Sequence, residues 1–592
     1  MRALGKFLLG TLAVIGFLFL GLIGLAWWGI SSLDFEEMMA GGAERPDQMV
    51  LTVDLRREFP EGEPEGPFAL LPDGAPLSLS ATVRAIDAAA ADPDVRGLLA
   101  EIGGTQAGMA QAQALRAAVA RFRASGKPAI IFAETLNEGN DSLDTYIATA
   151  FDEVWLQPSG GVGPLGFATE VPFLRNLLEE VGVRPQFDAR EDHKSAFDSL
   201  TRDSMDQFQR EDLQDLLGGF WSQFVTDVAA DRNLSPETVR QVAQQSPLLA
   251  PEALDSGLVD RLAYRDEVEA EVFTRAGTQE TLPLEAYAGV ELEEAPEAAP
   301  RVALIQASGP IMRGEAEKGP LGGGAGIYSD TLSRAIEAAV EDGGVRAIVL
   351  RIDSPGGSYV ASDTVWRTIR RARDRGMPVV VSMGNTAASG GYFIAMAGDH
   401  IVAEPGTVTG SIGVVSGKFV LSDLWRKLEV NWDDVSVGGP RLMYSPNQDF
   451  TQAQWAEFQK NLDWIYNDFV SKVAEARGMT KQQVRGLAGG RIWTGAAAAE
   501  KGLVDSLGGL DEAVAEAKRR AGIATDTAVA LEPFPKPATG LDRLLEALES
   551  TPLAGSEAEA LAALARVAAM LEPLTRRIEA MEQGPLRAPV VE

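Results

Sequence analysis

Cysteine is absent from the 592-residue chain, and histidine occurs only at 193 and 400. No disulfide framework, thiol nucleophile or thiolate zinc site can exist without Cys. Two His do not build a His-rich metal centre, and neither a Walker loop nor an HExxH pair is present. The residues therefore call for no metal, nucleotide or other cofactor. Positive charge is also scarce, with Lys+Arg 53 against Asp+Glu 85 and a formal net charge of -32. Broad binding to a phosphate backbone needs the opposite balance, so a nucleic-acid partner is not expected. The remainder has a globular composition, 45% hydrophobic and 23% charged. Its length suits about three or four domains, or two large ones.

One run stands apart. Phe7–Ile30 carries no charge, is preceded by Arg2 and Lys6, and is followed by Asp34, Glu36 and Glu37. As a helix it is long enough to cross a hydrocarbon core of roughly 30 Å. The charge asymmetry puts residues 1–6 in the cytoplasm and the body outside. A cleaved signal peptide would have a shorter apolar region, of about 7–15 residues, and a small-x-small end. The end here, AWWGISS, is a poor cleavage site. Residues 7–30 are therefore expected to be a retained, single-pass anchor.

Beyond the anchor the chain repeats itself. VRGLLAEI from Val95 resembles VRAIVLRI from Val345, and GKPAIIFAE from Gly126 resembles GMPVVVSMG from Gly376. IATAFDEVWLQPSGGVGPLGF from Ile147 matches IAMAGDHIVAEPGTVTGSIGV from Ile394, and GLVDRL from Gly257 matches GLVDSL from Gly502. Order is kept and the offset drifts only slightly, as two tandem copies of one domain require. The copies fall at 45–290 and 301–530, with the acidic Ala/Pro stretch 291–300 as linker. The tail 531–592 is helix-favouring over Gly540–Met581 and shows no chemistry. In the second copy 302–306, 347–352, 379–383 and 400–404 read as buried strands. Ser362–Arg373 and Gly391–Ala397 read as helices. The alternation implies an α/β fold with mainly parallel strands.

Two small-residue segments could carry chemistry. In 379–403, a strand and a small-residue turn lead to Ser389-Gly390-Gly391 at the start of a helix. A serine there lies beside unpaired N–H groups and suits a reaction that makes an oxyanion. An ordinary helix cap followed by packing glycines accounts for the same letters. Upstream, the glycines of RIDSPGG fall in a strand-to-helix turn, where paired N–H groups can face an anion. Both loops leave the same strand ends, where open α/β sheets carry their sites. A serine nucleophile needs a base. His400 follows Asp399 at a strand start, with a helix intervening, and its counterpart in the first copy is Glu153. Lys194 can act if burial lowers its pKa. Its counterpart at an offset of 247 is Arg441, which stays protonated. Ser389 falls opposite Ser142, which lacks the glycines, and PGG falls opposite GTQAG at 104–108. One copy keeps a lysine and the other keeps the setting for a nucleophile. Lys194 among its acids also reads as an ordinary exposed side chain.

The set RIDSPGG, SMGNTAASGGYFIAMAGD and GTVTGSIGV, in that order, resembles the S49 family of membrane-anchored Ser/Lys signal peptide peptidases. The two-copy layout is similar to that family's long, two-repeat form. The resemblance implies tandem ClpP/crotonase-like domains, each a spiral of ββα units. It implies Ser389 as nucleophile, Lys194 as general base and Ser411 as the residue that orients the lysine. It implies an oxyanion hole of Gly390 and Gly357, the latter in preference to Gly356. The implied protein is a serine endopeptidase of the bacterial inner membrane with periplasmic catalytic domains. It would assemble as a homotetramer and hydrolyse remnant signal peptides and other apolar peptides. Two other readings use the same fold: a non-catalytic membrane-anchored scaffold, and a crotonase-like enzyme of acyl thioesters.

Overall fold

The computed structural model describes residues 45–62, 77–291, 299–316, 318–319, 322–323 and 326–536. The expected anchor at 7–30 and the helix-favouring stretch 540–581 fall outside them, whereas the start of the expected helical tail at 531–592 lies in a strand, Ala530–Pro533, held by its pairing with the strand that begins at Arg301. Among the described residues no helix is long and apolar enough to cross a membrane. The chain divides into two compact units. The smaller contributes only Lys318, Gly319 and Gly322 to the described residues. The larger contains both halves of the repeat.

Each half is built on a mainly parallel sheet. In the first, the order is Arg261–Leu262, Glu153–Leu156, Ala129–Ala133, Val95–Ile102, Met49–Asp54 and Thr281–Pro283. In the second, Ser506–Leu507, His400–Ala403, Val379–Ala388, Val345–Ser354, Arg301–Ser308 and Ala530–Pro533 follow the same sequence of neighbours. The duplication reaches the register. Met49 lies opposite Val95 and Arg301 opposite Val345, and each pairing is followed at once by a register shift. The central strands are apolar on both faces because helices cover both, which is why they read as continuous rather than alternating runs. Each half buries its own core. One gathers Ile131, Tyr146 and Phe224, and the other Val381, Phe393 and Phe469.

Two expected boundaries move. The strand beginning at Val379 runs to Ala388, five residues beyond the expected strand, so no turn precedes Ser389. Its extension Thr386–Ala388 pairs with Val408–Gly410, a partner distant in sequence that local reading cannot supply. The helix expected at Ser362 starts at Tyr359, where the Ser358 hydroxyl accepts from Ala361 N–H and caps it. The short helix after Ser389 spans Gly390–Ala395.

The halves are joined by polar seams. Arg184–Ala189 of the first pairs antiparallel with Val415–Val420 of the second. Gln111 N–H donates to Asn385 Oδ1, Gly406 N–H to Gln113 Oε1, and Gln223 Nε2 to the Pro405 carbonyl. The guanidinium of Arg351 meets Glu61 at 2.8 Å, with both side chains 5% exposed.

Candidate active site

The end of the Val379–Ala388 strand and the end of the neighbouring Val345–Ser354 strand lie side by side, with Ser354 opposite Ala387. The chain turns at Ser389, which takes φ 53° and ψ -115°, a region that costs a non-glycine residue about 1–3 kcal/mol. The turn is fixed from both sides. Ser389 N–H donates to the Gly410 carbonyl at 2.9 Å, and its own carbonyl accepts from Phe393 N–H. The Ser389 hydroxyl is thereby held off both strand and helix.

The PGG turn packs against it. A Cβ on Gly356 would lie 2.7 Å from Gly390 N and 2.9 Å from the Ser389 Cβ, so the approach is open only to glycine. Ile311 N–H donates to Gly356 O and Ser358 N–H donates to Ile311 O. That bridge leaves the intervening Gly357 N–H unused. Gly390 N–H is the first of its helix and has no intrahelical acceptor. A Cβ on Gly390 would come within 3.1 Å of Gly357 N, so these two N–H groups are close neighbours beside Ser389.

Lys194 reaches this place from the first half. It follows the Arg184–Ala189 strand, whose pairing across the halves continues through Arg190 N–H to the Val414 carbonyl. Its side chain is 6% exposed. Nζ lies 3.0 Å from Ser389 Oγ, 2.8 Å from Ser411 Oγ and 2.9 Å from the Ser411 carbonyl oxygen. Burial, with no carboxylate paired to it, brings the ammonium down from its usual range to about 7. The carbonyl of Ser411 can only accept, so the amine donates there. A neutral amine has one more N–H and one lone pair for the two hydroxyls. Donation to Ser411 leaves the lone pair for the Ser389 O–H. Ser411 is itself at φ 50° and is tied by its N–H to the Arg491 carbonyl at 2.7 Å.

Further residues shape the site, some of them inside the quoted motifs, where the sequence alone gave them no role. Thr407 and Thr409 donate to the carbonyls of Gly384 and Ala387, clamping two strand ends together. Arg351 Nη1 donates to Ser382 Oγ and the Met383 carbonyl. His193 lies beside Lys194 in sequence but turns to Asp212 at 2.9 Å. His400 bonds Ser506 at the far end of the sheet. Arg441 is exposed and lies in irregular chain. Among the described residues no group of three or more His, Asp or Glu is disposed to hold a metal ion.

Among the described residues the first half has no equivalent arrangement. Ser142 lies within a helix, and its hydroxyl donates to the Gly166 carbonyl and accepts from Gly166 N–H. The loop opposite PGG is occupied by a carboxylate of its own chain. Asp144, fully buried, accepts from Gly104 N–H at 2.7 Å and Thr105 N–H at 2.9 Å.

The sequence pattern of peptidase family S49 matches residues 121–278 and 371–524, one stretch in each half. The chain belongs to this family. The first stretch contains Lys194 and the second contains Ser389, Gly390 and Ser411; Gly357 lies ahead of the second. Similar S49 proteins include "Serine protease SPPA, chloroplastic" of Arabidopsis thaliana, 32% identical over 78% of this chain and 68% of that one. "Protease 4" of Salmonella typhi is 34% identical over 74% of this chain and 71% of that protein. "Putative signal peptide peptidase SppA" of Enterococcus faecium is 33% identical over 32% of this chain and 55% of its own length. The chain is an S49 serine peptidase with two repeats.

Proposed function

We propose that this serine peptidase works through a Ser389/Lys194 dyad, as an endopeptidase anchored by residues 7–30 in a bacterial inner membrane. Its substrates would be remnant signal peptides and other apolar peptides. The observation that carries the reading is the approach of a buried lysine amine, free of any carboxylate, to 3.0 Å from a serine hydroxyl. Neutral Lys194 takes the Ser389 proton as Oγ attacks the peptide carbonyl carbon. The oxyanion that forms accepts from Gly390 N–H and Gly357 N–H. The C–N bond breaks, and the lysine ammonium gives its proton to the leaving amine. Water, deprotonated by the same lysine, releases the acyl group from Ser389. Ser411 keeps the amine aimed throughout. The chemistry calls on no cofactor.

The duplicated strand order and register support a tandem ClpP/crotonase-like reading of the fold, with Lys194 from repeat 45–290 and Ser389 from repeat 301–530. Assembly as a homotetramer is part of the proposal, and exposed apolar side chains on the irregular segment after Ser422–Lys427 are available for contact between copies. There Val435 and Val437 are 97% and 88% exposed, and a second copy of the chain would cover them.

A fluorophosphonate that labels active serines tests the dyad. Wild-type protein should carry the label on Ser389, read by peptide mass spectrometry, and Lys194→Ala should lose it while remaining folded. Label on another serine, or undiminished labelling of the Lys194→Ala variant, would refute the assignment and favour the scaffold reading.

A further inference from the structure

A second polar recess lies where the two halves meet, lined by residues other than the dyad. It is a cavity of about 270 Å³. The first half supplies Arg116, Tyr146, Asp227 and Asp231, and the second supplies Glu404 and Pro405. The polar groups of the first half are largely engaged. Arg116 is bound to Asp231 and stacks over the Tyr146 ring, and the Tyr146 hydroxyl donates to Asp227. Glu404 differs. The residue is 6% exposed, yet among the described residues its carboxylate has neither a hydrogen bond nor an ion pair, although Arg351 and Arg121 influence it from a distance. A buried carboxylate is normally paired, because leaving water costs it several kcal/mol. Between the acidic groups the wall is apolar, formed by Ala117, Ala120 and Ala150.

We propose that this cavity is a binding site for a small aliphatic amine, whose ammonium group pairs with Glu404. A compound with two ammonium groups and an apolar spacer fits best. One end would meet Glu404 and the other the free acceptor capacity of Asp227, while the spacer lies on the alanines. The charges argue for a cation. Three carboxylates line the recess against one guanidinium, and that guanidinium is already taken by Asp231. The size argues for a small molecule, since the volume is just below the range of typical ligand pockets.

The site is connected to the catalytic strands. Glu404 and Pro405 open the segment that runs through Thr407 and Thr409 to Ser411, the residue beneath the Lys194 amine. Gln113 and Gln223 of the first half grip the same segment at Gly406 and Pro405. An occupant would bind both halves where they share a wall, without touching Ser389 or Lys194.

The test is titration calorimetry on the full chain with 1,5-diaminopentane, and with 1-pentanol as the uncharged control. The diamine should give saturable binding at pH 8, and the alcohol none. Glu404→Gln should weaken the diamine about tenfold or more, as the loss of one charge-assisted hydrogen bond requires. Burial raises the Glu404 carboxyl to about 7, with Arg351, Arg121 and Asp511 around it and Arg116, Asp227 and Asp231 across the recess. Wild-type binding should therefore weaken from pH 8 to pH 6, and the Glu404→Gln variant should lose most of that dependence. Ala120→Leu, which fills the recess and leaves every charge in place, should also abolish binding. No saturable heat with the wild type, equal binding by the alcohol, or unchanged affinity in both variants would overturn the proposal.

Discussion

At the scale of single residues, the proposed dyad depends on a lysine kept neutral by its position and not by a partner. Burial alone holds Lys194 near 7. The neutral form is the one that accepts a proton, so kcat/KM should rise with pH through about 7 and level off above it. A rate–pH curve that is flat or falls over that span would contradict a lysine base. Gly490 shows how closely the amine is confined. Its φ is +92°, and a Cβ there would sit 2.4 Å from the Lys194 Cα. Gly490→Ala should therefore lower kcat at least tenfold while circular dichroism stays native, since the displaced backbone carries the amine with it. The proposed dyad was partly legible in the letters. The comparison of repeats left Lys194 as a candidate base, opposite an arginine, and the small residues after Ser389 advertised close packing. Asp144, Asp212 and Thr407 gave no such sign, because each acts through a partner that only the folded chain brings near.

Among the elements, the sheet was the most readable part. Ala129–Ala133 and the first five residues of Val379–Ala388 are short apolar runs, and the repeat supplied that run twice. What local reading could not supply was pairing between distant segments. The extension of one strand to Ala388 requires Val408–Gly410, and the delivery of Lys194 requires Val415–Val420. The Arg351–Glu61 pair lies at this level too. It joins the first half to the strand end that carries the PGG turn, and Arg351 also holds Ser382 and the Met383 carbonyl. Breaking a buried pair by removing one partner costs about 3–5 kcal/mol. Glu61→Gln should lower the urea midpoint accordingly, and activity per folded molecule should fall with it because the strand end loses its anchor.

For the whole molecule, Lys194 of the first half and Ser389 of the second meet within a single chain, so the proposed dyad needs no neighbour. Chains carrying Lys194→Ala and chains carrying Ser389→Ala should therefore stay inactive when co-expressed, as read by peptide hydrolysis of the mixed preparation. Recovered activity would mean that neighbouring chains exchange halves of the site. Duplication alone would allow two reaction centres, but in the first half the loop opposite PGG is already filled. Asp144 sits on the Gly104 and Thr105 N–H groups as a permanent resident, a built-in anion whose removal would leave two buried donors empty. A covalent serine reagent should consequently saturate at one equivalent per chain. Installing glycines after Ser142 should not raise that stoichiometry to two, because the Asp144 carboxylate already takes the N–H groups of the loop opposite PGG.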